Sequence, residues 1–275
     1  MFQYIGKDMG DQEQTSARVA VITGAAQGIG RRTAEVLAER GYRLVLIDLN
    51  SCDETRVAAE GHGTKVMEFR GSVADEPFIN ASAASVATQW GTPDVVVNNA
   101  GVSFIRPSEH TSVADFRRIL EINLVAPFVV TRAFAPMMLA RHVGSFINVA
   151  SIAGLLGMSE RSAYNASKHG LVGLTRTLAA EWGGRGVRCN AVCPGWVKTA
   201  MDDAEQARGT YSDDDITGRV PMARFASVDD IARAIAFLAD PTESGFVNGH
   251  TLVVDGGWTA DASWESLRLA QRSRR

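Results

Sequence analysis

The sequence predicts an α/β fold in which a doubly wound, seven-stranded, mostly parallel sheet carries helices on both faces within a single domain. Three observations lead to this prediction. Strand-like segments alternate with segments of helical spacing along most of the chain. The strands are continuous apolar runs, which is typical of a sheet covered on both faces. The 275 residues, 45% of them hydrophobic, suffice for one large domain with a sizeable core.

The predicted elements follow one another in order. The strands are RVAVITG, YRLVLIDLN, TKVMEFR, PDVVVNNAG, GSFINVAS, GVRCNAVCPG and HTLVVDGG. The helices are RRTAEVLAERG, which Gly41 ends, DETRVAAEGHG, and the segments 75–90, 112–140, 162–183 and 227–239.

No linker or repeat divides the chain, so we expect a flexible leader at 1–17, one folded domain at 18–258 and a tail at 259–275. One stretch, at about 196–224, interrupts the alternation. It is long, polar and acidic in its middle, which is typical of a lid or substrate loop. A surface excursion without function is the alternative.

Composition excludes several classes of protein. The net charge of −3 and the pI of about 6.0 favour neither nucleic acid nor a membrane surface as a partner. We expect no signal peptide and no membrane span, because we find no apolar run of sufficient length. The sparse set Cys52, Cys189 and Cys193 is typical of a reducing compartment, so we expect a cytoplasmic protein without a metal site.

The first strand runs directly into TGAAQGIG at 23–30 and then into a helix. Gly24 would allow a tight turn, and Gly28 and Gly30 would allow close approach of a ligand and of the helix. The helix N-terminus then offers N–H groups and a positive dipole to a pyrophosphate. This arrangement predicts a Rossmann-type dinucleotide site, with a purely structural turn as the alternative.

Asp48 ends the second strand. A carboxylate there accepts hydrogen bonds from ribose hydroxyls and repels a 2′-phosphate. No Arg or Lys occupies position 49 or 50, and position 27 is Gln, so we predict NAD as the cofactor. Asp48 could instead cap the following turn, and the nearby Arg31 and Arg43 could favour NADP.

Tyr164 and Lys168 stand four residues apart on a predicted helix and so share a face. An ammonium beside a phenol favours phenolate and lowers a pKa that starts near ~10. Such a tyrosine can take a proton from an alcohol or donate one to a carbonyl. Taken alone, the spacing YxxxK is common and would favour an exposed helical contact.

Five short motifs in order resemble the common-length short-chain dehydrogenase/reductase family over roughly 18–258. They are TGxxxGIG, NNAG at 98–101, Ser151 at a strand end, YxxxK at 164–168 and PG at 194–195. The resemblance implies an NAD(P)-dependent oxidoreductase that assembles as a homotetramer, with a homodimer as the alternative.

The resemblance also implies residue roles. Tyr164 would be the general acid/base, and Lys168 would lower its pKa and hold the nicotinamide ribose. Ser151 would hydrogen-bond the reacting oxygen, and Asn123 would support a water-mediated proton relay. Where the family has an Asp that contacts adenine, this chain has Ser72, so we expect a modest loss of adenine affinity. The expected cofactor contacts are Gly24, Gln27, Gly28, Ile29, Gly30, Asp48, Leu49, Ser72, Val73, Asn99, Ala100, Gly101, Tyr164, Lys168, Pro194, Gly195, Val197 and Thr199.

The substrate is the least predictable part. The expected substrate contacts are Ser103, Ser151, Met158, Tyr164 and Trp196, and Glu160 is a further candidate for binding hydroxyl groups. With NAD favoured, we expect oxidation of a secondary alcohol: a sugar, polyol or cyclic alcohol. One alternative is an NADPH-dependent carbonyl or 3-oxoacyl thioester reductase, which would want a basic residue near 27 or 49. Another is an NAD-binding regulatory protein without turnover, which the complete catalytic set disfavours.

Overall fold

The strands of the computed structural model, which describes residues 17–206, 211–264 and 267–268, form one sheet of seven. Its order is β3-β2-β1-β4-β5-β6-β7, and every neighbouring pair is parallel. The strands are β1 (Val19–Thr23), β2 (Arg43–Asp48), β3 (Val66–Arg70), β4 (Val95–Asn98), β5 (Gly144–Val149), β6 (Val187–Pro194) and β7 (Thr251–Val254). The predicted fold is confirmed, with a sheet that is parallel throughout.

Ten α-helices lie in the described part of the chain. They are α1 (Gly28–Glu39), α2 (Asp53–Glu60), α3 (Glu76–Trp90), α4 (Val113–Leu120), α5 (Ala126–Arg141), α6 (Ser162–Trp182), α7 (Ala200–Gln206), α8 (Asp213–Thr217), α9 (Val228–Ala239) and α10 (Pro241–Ser244).

Two hydrophobic layers cover the two faces of the sheet because successive strand residues point to opposite sides. In β2, Leu44 and Leu46 pack in the layer that includes α1 and α9. Val45 and Ile47 pack in the other layer, with α3, α5 and α6. All four are fully buried, and each such side chain contributes about 1.5–3 kcal/mol to folding. A strand buried on both faces must read as an unbroken apolar run.

The predicted helix over 112–140 is two helices, α4 and α5, joined by a π-helical turn at Glu121–Val125. Pro127, near the start of α5, has no N–H to donate to the carbonyl of Asn123 four residues back. The ordinary helical hydrogen bond to that carbonyl therefore cannot form. Such π-turns occur often at functional sites.

The joined segment Val113–Arg141 is long and apolar enough to cross a membrane by length and composition alone. This differs from the expectation that no run reaches that length. In the structure, 56% of its most apolar window is buried inside the domain, and α5 packs against α3. The segment is therefore a core element of the fold.

The predicted substrate loop contains two short helices, α7 and α8. A bridge between Val197 and Ala226 ties its beginning to its end. Most of the predicted leader and tail lies outside the described residues. Of the tail, Asp261 is held by Arg219, whose guanidinium donates to its backbone carbonyl at 2.8 Å.

Candidate active site

A cavity of about 420 Å³ opens where the carboxyl ends of β1, β4, β5 and β6 meet. The strand order reverses between β1 and β4, and ligands bind at such a point in open parallel sheets. All predicted site residues except Gly30, Asn123 and the further candidate Glu160 line it. In the part of the chain that the structure describes, no group of His, Cys, Asp or Glu could hold a metal ion.

The glycine turn at one end of the cavity is tightly packed at two glycines and open at the third. Gly24 has φ +65°, and a Cβ there would lie 2.8 Å from Ala100 Cα. A Cβ on Gly30 would lie 2.0 Å from the Gly24 carbonyl oxygen, so Gly30 serves packing rather than ligand contact. Gly28, by contrast, has nothing nearer than Thr199 Cγ2 at 3.9 Å. No side chain caps the start of α1, which leaves its first N–H groups for an anion.

Asn99 holds this turn in place. Its side-chain amide donates to the carbonyl oxygens of Thr23 and Gly24, both at 3.0 Å. The NNAG segment therefore fixes the glycine turn from the neighbouring strand as well as lining the cavity.

Asp48 lines the cavity next to this turn. One carboxylate oxygen accepts a hydrogen bond from Ala26 N and the other from Asn50 N, both at 2.9 Å. Asp48 thus does cap its turn, as the alternative interpretation held, and it also faces the cofactor end of the cavity. Two backbone bonds fix the carboxylate in one orientation.

The two arginines that could favour NADP are engaged elsewhere. Arg31 is paired with Glu35 at 3.1 Å and with Glu54 at 2.5 Å. The Arg43 guanidinium stacks 5.2 Å from the ring centroid of Trp90. Neither arginine lines the cavity.

Tyr164, in the first turn of α6, is surrounded by protein but open to the cavity. Burial raises its pKa above the ordinary value, and a hydrogen bond from Ser151 and the charge of Arg161 only partly oppose this. The net shift is therefore opposite in direction to the lowering predicted from the sequence, because burial of Tyr164 outweighs the charges around it. A sequence does not show this burial.

Lys168 lies one turn further along α6. Its ammonium is 5.7 Å from the Tyr164 ring centroid and donates to the Val149 carbonyl oxygen at 2.8 Å. Burial lowers the pKa of Lys168 to about 8. The strand end thus fixes the ammonium beside the phenol.

Asn123 lies behind the cavity rather than in its wall. Its side-chain amide donates to the Val102 carbonyl and accepts from the Val102 N–H, both at 2.9 Å. It also contacts Ser167, whose hydroxyl donates to the Tyr164 carbonyl at 2.7 Å. Because both side-chain N–H groups are engaged, the Asn123 backbone carbonyl is the candidate group for a relay.

The substrate end contains charged residues that sequence analysis missed: Arg161, Asp202 and Glu205. Arg161 and Glu205 are each only 9% exposed and form a bidentate pair, with nitrogen–oxygen distances of 2.6 and 3.2 Å. Ser103, which was predicted, donates to Glu205 and accepts from Arg161. Arg161 lies three residues before Tyr164, and this helical spacing could have predicted that both face the cavity. Nothing in the local sequence predicts that Glu205 lies beside them.

Trp196 links this end to the substrate loop. Its ring packs 5.0 Å from Tyr211 and 5.9 Å from Trp258, centroid to centroid, and the Arg161 guanidinium lies 5.4 Å above it. Trp196 is therefore both a cavity wall and a loop anchor.

Glu160, by contrast, lies outside this cavity. It has φ +61° and lines a separate, open depression beside Pro107. The sequence expectation of a hydroxyl-binding carboxylate at this position is thus not met, and Arg161, the next residue, faces the cavity instead.

Comparison with known proteins agrees with this geometry. The family model described as Enoyl-(Acyl carrier protein) reductase matches residues 24–259. D-threitol dehydrogenase of Mycolicibacterium smegmatis is 39% identical over 88% of this chain and 93% of that protein. Trans-4-hydroxycyclohexanecarboxylate dehydrogenase of Sinomonas cyclohexanicum is 41% identical over 90% and 95%. The structure of actinorhodin polyketide ketoreductase with NADPH has a TM-score of 0.84 at 32% identity, covering 88% of this chain and 97% of that one.

The fold and the site define an oxidoreductase of the class that binds a nicotinamide cofactor. The chain belongs to the short-chain dehydrogenase/reductase family.

Proposed function

We propose that the protein is an NAD-dependent dehydrogenase that oxidises a secondary alcohol of the sugar, polyol or cyclic alcohol class. One observation carries the proposal. Ser151, Tyr164 and Lys168 line the same cavity as the glycine turn and Asp48, so a proton-transfer group and a dinucleotide cradle face one space. The named alcohols of relatives, a tetritol and a hydroxylated ring acid, support the substrate class.

Three residues of the chain would take separate roles in the transfer of the proton. Ser151 would hydrogen-bond the alcohol oxygen, and Tyr164 would take its proton. Lys168, fixed by Val149, favours the phenolate that results. When bound, the nicotinamide supplies the hydride acceptor. The glycine turn, Asp48 and the 194–199 segment would hold the cofactor.

The preference for NAD rests on charge at the adenosine end. The Asp48 carboxylate is fixed there, whereas Leu49 and Asn50 carry no charge that would attract a 2′-phosphate. Arg31 is neutralised by two glutamates. Ser72 also lines this end, with its hydroxyl accepting from Ala74 N at 3.2 Å.

A carbonyl or acyl thioester reductase that uses NADPH is the second candidate. The description of the matching family model and the NADPH of the ketoreductase structure favour it. A regulatory protein without turnover is a weaker third candidate, because the groups for proton transfer are all present at the cavity.

The assembly and location also remain proposals. A homotetramer, or a homodimer, is compatible with the exposed Val125 and Phe128 near the start of α5, which are 39% and 45% exposed. Light scattering on the purified protein tests this. The three cysteines are buried and unpaired, which supports a reducing, cytoplasmic location.

The test is an assay of reduced-nicotinamide absorbance with a panel of sugars, polyols and cyclic alcohols and either NAD or NADP. We expect reduction of NAD by one of these classes. Oxidation of NADPH with a carbonyl panel, without any alcohol reaction, would replace the proposal by the reductase. Tight NAD binding without reaction in either direction would favour the regulatory protein.

A further inference from the structure

The substrate end of the cavity is closed by a buried, charge-balanced network between the start of α6 and the substrate loop. Arg161 stands immediately before α6, and Glu205 lies on α7 of the loop, 44 positions later. Their side chains are 10% and 11% exposed. Both residues line the cavity that also contains Tyr164. The Arg161–Glu205 pair therefore lines the cavity and is not an exposed surface ion pair.

Glu205 pairs with both terminal nitrogens of the Arg161 guanidinium. Each carboxylate oxygen accepts from one guanidinium nitrogen, and Ser103 donates to the same carboxylate. The Tyr211 hydroxyl lies between the Glu205 and Asp202 carboxylates and is shared by them. Although burial opposes ionisation, the bonds from Arg161 and Ser103 outweigh it and lower the pKa of Glu205. The carboxylate is therefore charged and cancels the charge of Arg161.

The neighbouring charges leave no surplus cation at this wall. Asp202, 6% exposed, accepts from the Tyr211 hydroxyl at 2.9 Å and pairs with Lys198 at 3.1 Å. Lys198 is shared with Asp203 and Asp213 on the solvent side. A carboxylate entering here would lose its hydration and meet Glu205 and Asp202 without a free partner.

We propose that Glu205 is a specificity-determining residue: by occupying Arg161, it makes the cavity select uncharged, hydroxyl-bearing alcohols over alcohols that carry a carboxylate. The proposal rests on the proposed alcohol dehydrogenase function and narrows its substrate class. The two relatives are named for alcohols of these two kinds, the uncharged D-threitol and the carboxylate-bearing trans-4-hydroxycyclohexanecarboxylate. The proposal predicts that this cavity favours the uncharged kind.

The same network is suited to hydroxyl groups. A hydroxyl both donates and accepts, so it can donate to the Glu205 or Asp202 carboxylate while its oxygen accepts a hydrogen bond from another group in the cavity wall. The indole N–H of Trp196 is buried and has no hydrogen-bond acceptor among the residues the structure describes. A substrate hydroxyl could serve as that acceptor, since Trp196 lines the cavity.

The test compares two ligands that differ only in one group: 1,4-cyclohexanediol and 4-hydroxycyclohexanecarboxylate. Binding to the protein saturated with NADH is measured by calorimetry, and kcat/KM is measured with NAD. For the wild type we expect the diol to be favoured at least tenfold. Glu205→Gln should shift the binding ratio at least tenfold toward the carboxylate, because it frees the guanidinium of Arg161.

Matched variants keep the test decisive. In Arg161→Gln/Glu205→Gln the gain should vanish, because the cation is gone. Arg161→Gln alone leaves Glu205 unpaired and should disfavour the carboxylate further, so it gives an answer even where Glu205→Gln does not fold. Glu243→Gln, which removes a carboxylate paired with Arg40 far from the cavity, should leave the ratio unchanged.

The outcomes separate this proposal from the proposed function. A wild type that binds the carboxylate as tightly as the diol, or a ratio that Glu205→Gln leaves unchanged, would overturn the role of Glu205 even where the diol is oxidised. If neither compound is oxidised but Glu205→Gln gains carboxylate binding, the role of Glu205 stands and the alcohol dehydrogenase function fails for this substrate class.

Discussion

The ammonium of Lys168 donates to the carbonyl oxygen of Val149 at 2.8 Å, so the last residue of β5 holds the lysine that lies beside Tyr164. The sheet and the reactive helix are thereby joined at the point where proton transfer is proposed. The lysine is 4% exposed, and burial lowers its pKa to about 8 from an ordinary 10.5. Burial of this cation lowers the free energy of unfolding, and we explain its presence by its role beside Tyr164.

Lys168→Met should stabilise the fold at neutral pH while nearly abolishing turnover. Below pH 8 the folded protein must keep the buried ammonium charged. Between pH 8 and 10.5 the unfolded chain binds the extra proton, so wild-type stability should rise with pH across that window. The gain is of order 3 kcal/mol, at about 1.4 kcal/mol per pKa unit.

Urea unfolding of wild type and Lys168→Met at pH 7 to 10 checks this linkage. The variant should lack the rise seen in the wild type. Equal pH slopes in the two proteins would show that Lys168 is not the titrating group.

Asp48→Ala should weaken NAD binding about tenfold and relax discrimination against NADP. The reason is the loss of the carboxylate that accepts ribose hydroxyls and repels a 2′-phosphate, where one hydrogen bond to a charged group is worth about 1.5–3 kcal/mol. Fluorescence titration with both cofactors measures the ratio.

A matched control for this variant is Asp53→Ala, which removes an exposed carboxylate that pairs with Arg56 and does not line the cavity. It should leave both affinities unchanged. An unaltered NAD-to-NADP ratio in Asp48→Ala would mean that another group selects the cofactor.

Pro127→Ala should slow turnover several-fold with little effect on NAD affinity. The new N–H can bond the Asn123 carbonyl and convert the π-turn toward an ordinary helix, which removes the group proposed for the relay. Comparing kcat with the Kd for NAD tests this. Unchanged kcat, with the new amide proton at position 127 protected from hydrogen exchange, would remove Asn123 from the proton path.

Asn98→Ala should destabilise the fold by about 1–3 kcal/mol, because buried polar partners lose their bonds. The Asn98 side chain donates to Thr131 at 2.9 Å and to Asn148 at 2.8 Å, and Asn148 continues to Thr175 at 2.8 Å. The chain of bonds links β4 and β5 to α5 and α6. Urea midpoints measure the effect, and a loss below 0.5 kcal/mol would show that these bonds contribute little.

Much of the fold was predictable because its signals are local. A strand such as β2 must be apolar at every position when Leu44 and Val45 face different helical layers. The π-turn was not predictable, since it combines the missing N–H of Pro127 with the contact of Asn123 to Val102, which exists only in the folded chain.

The candidate site also contains residues that could be predicted from the sequence and residues that could not. The glycine turn, Asp48 and Tyr164 stand at strand or helix ends that the motifs themselves mark, so their shared location was predictable. Glu205 reaches Arg161 only because α7 folds back over the cavity. The direction of the Tyr164 pKa also depends on burial, which no spacing in the sequence records.

The central claim is that Tyr164 exchanges the proton with the alcohol. The most direct measurement is kcat/KM of Tyr164→Phe with NAD and the best alcohol substrate, together with the Kd for NAD. We predict a loss of at least a thousandfold in kcat/KM with the Kd for NAD within a few-fold of the wild type. Turnover within tenfold of the wild type would contradict the claim and assign proton transfer to another group in the cavity.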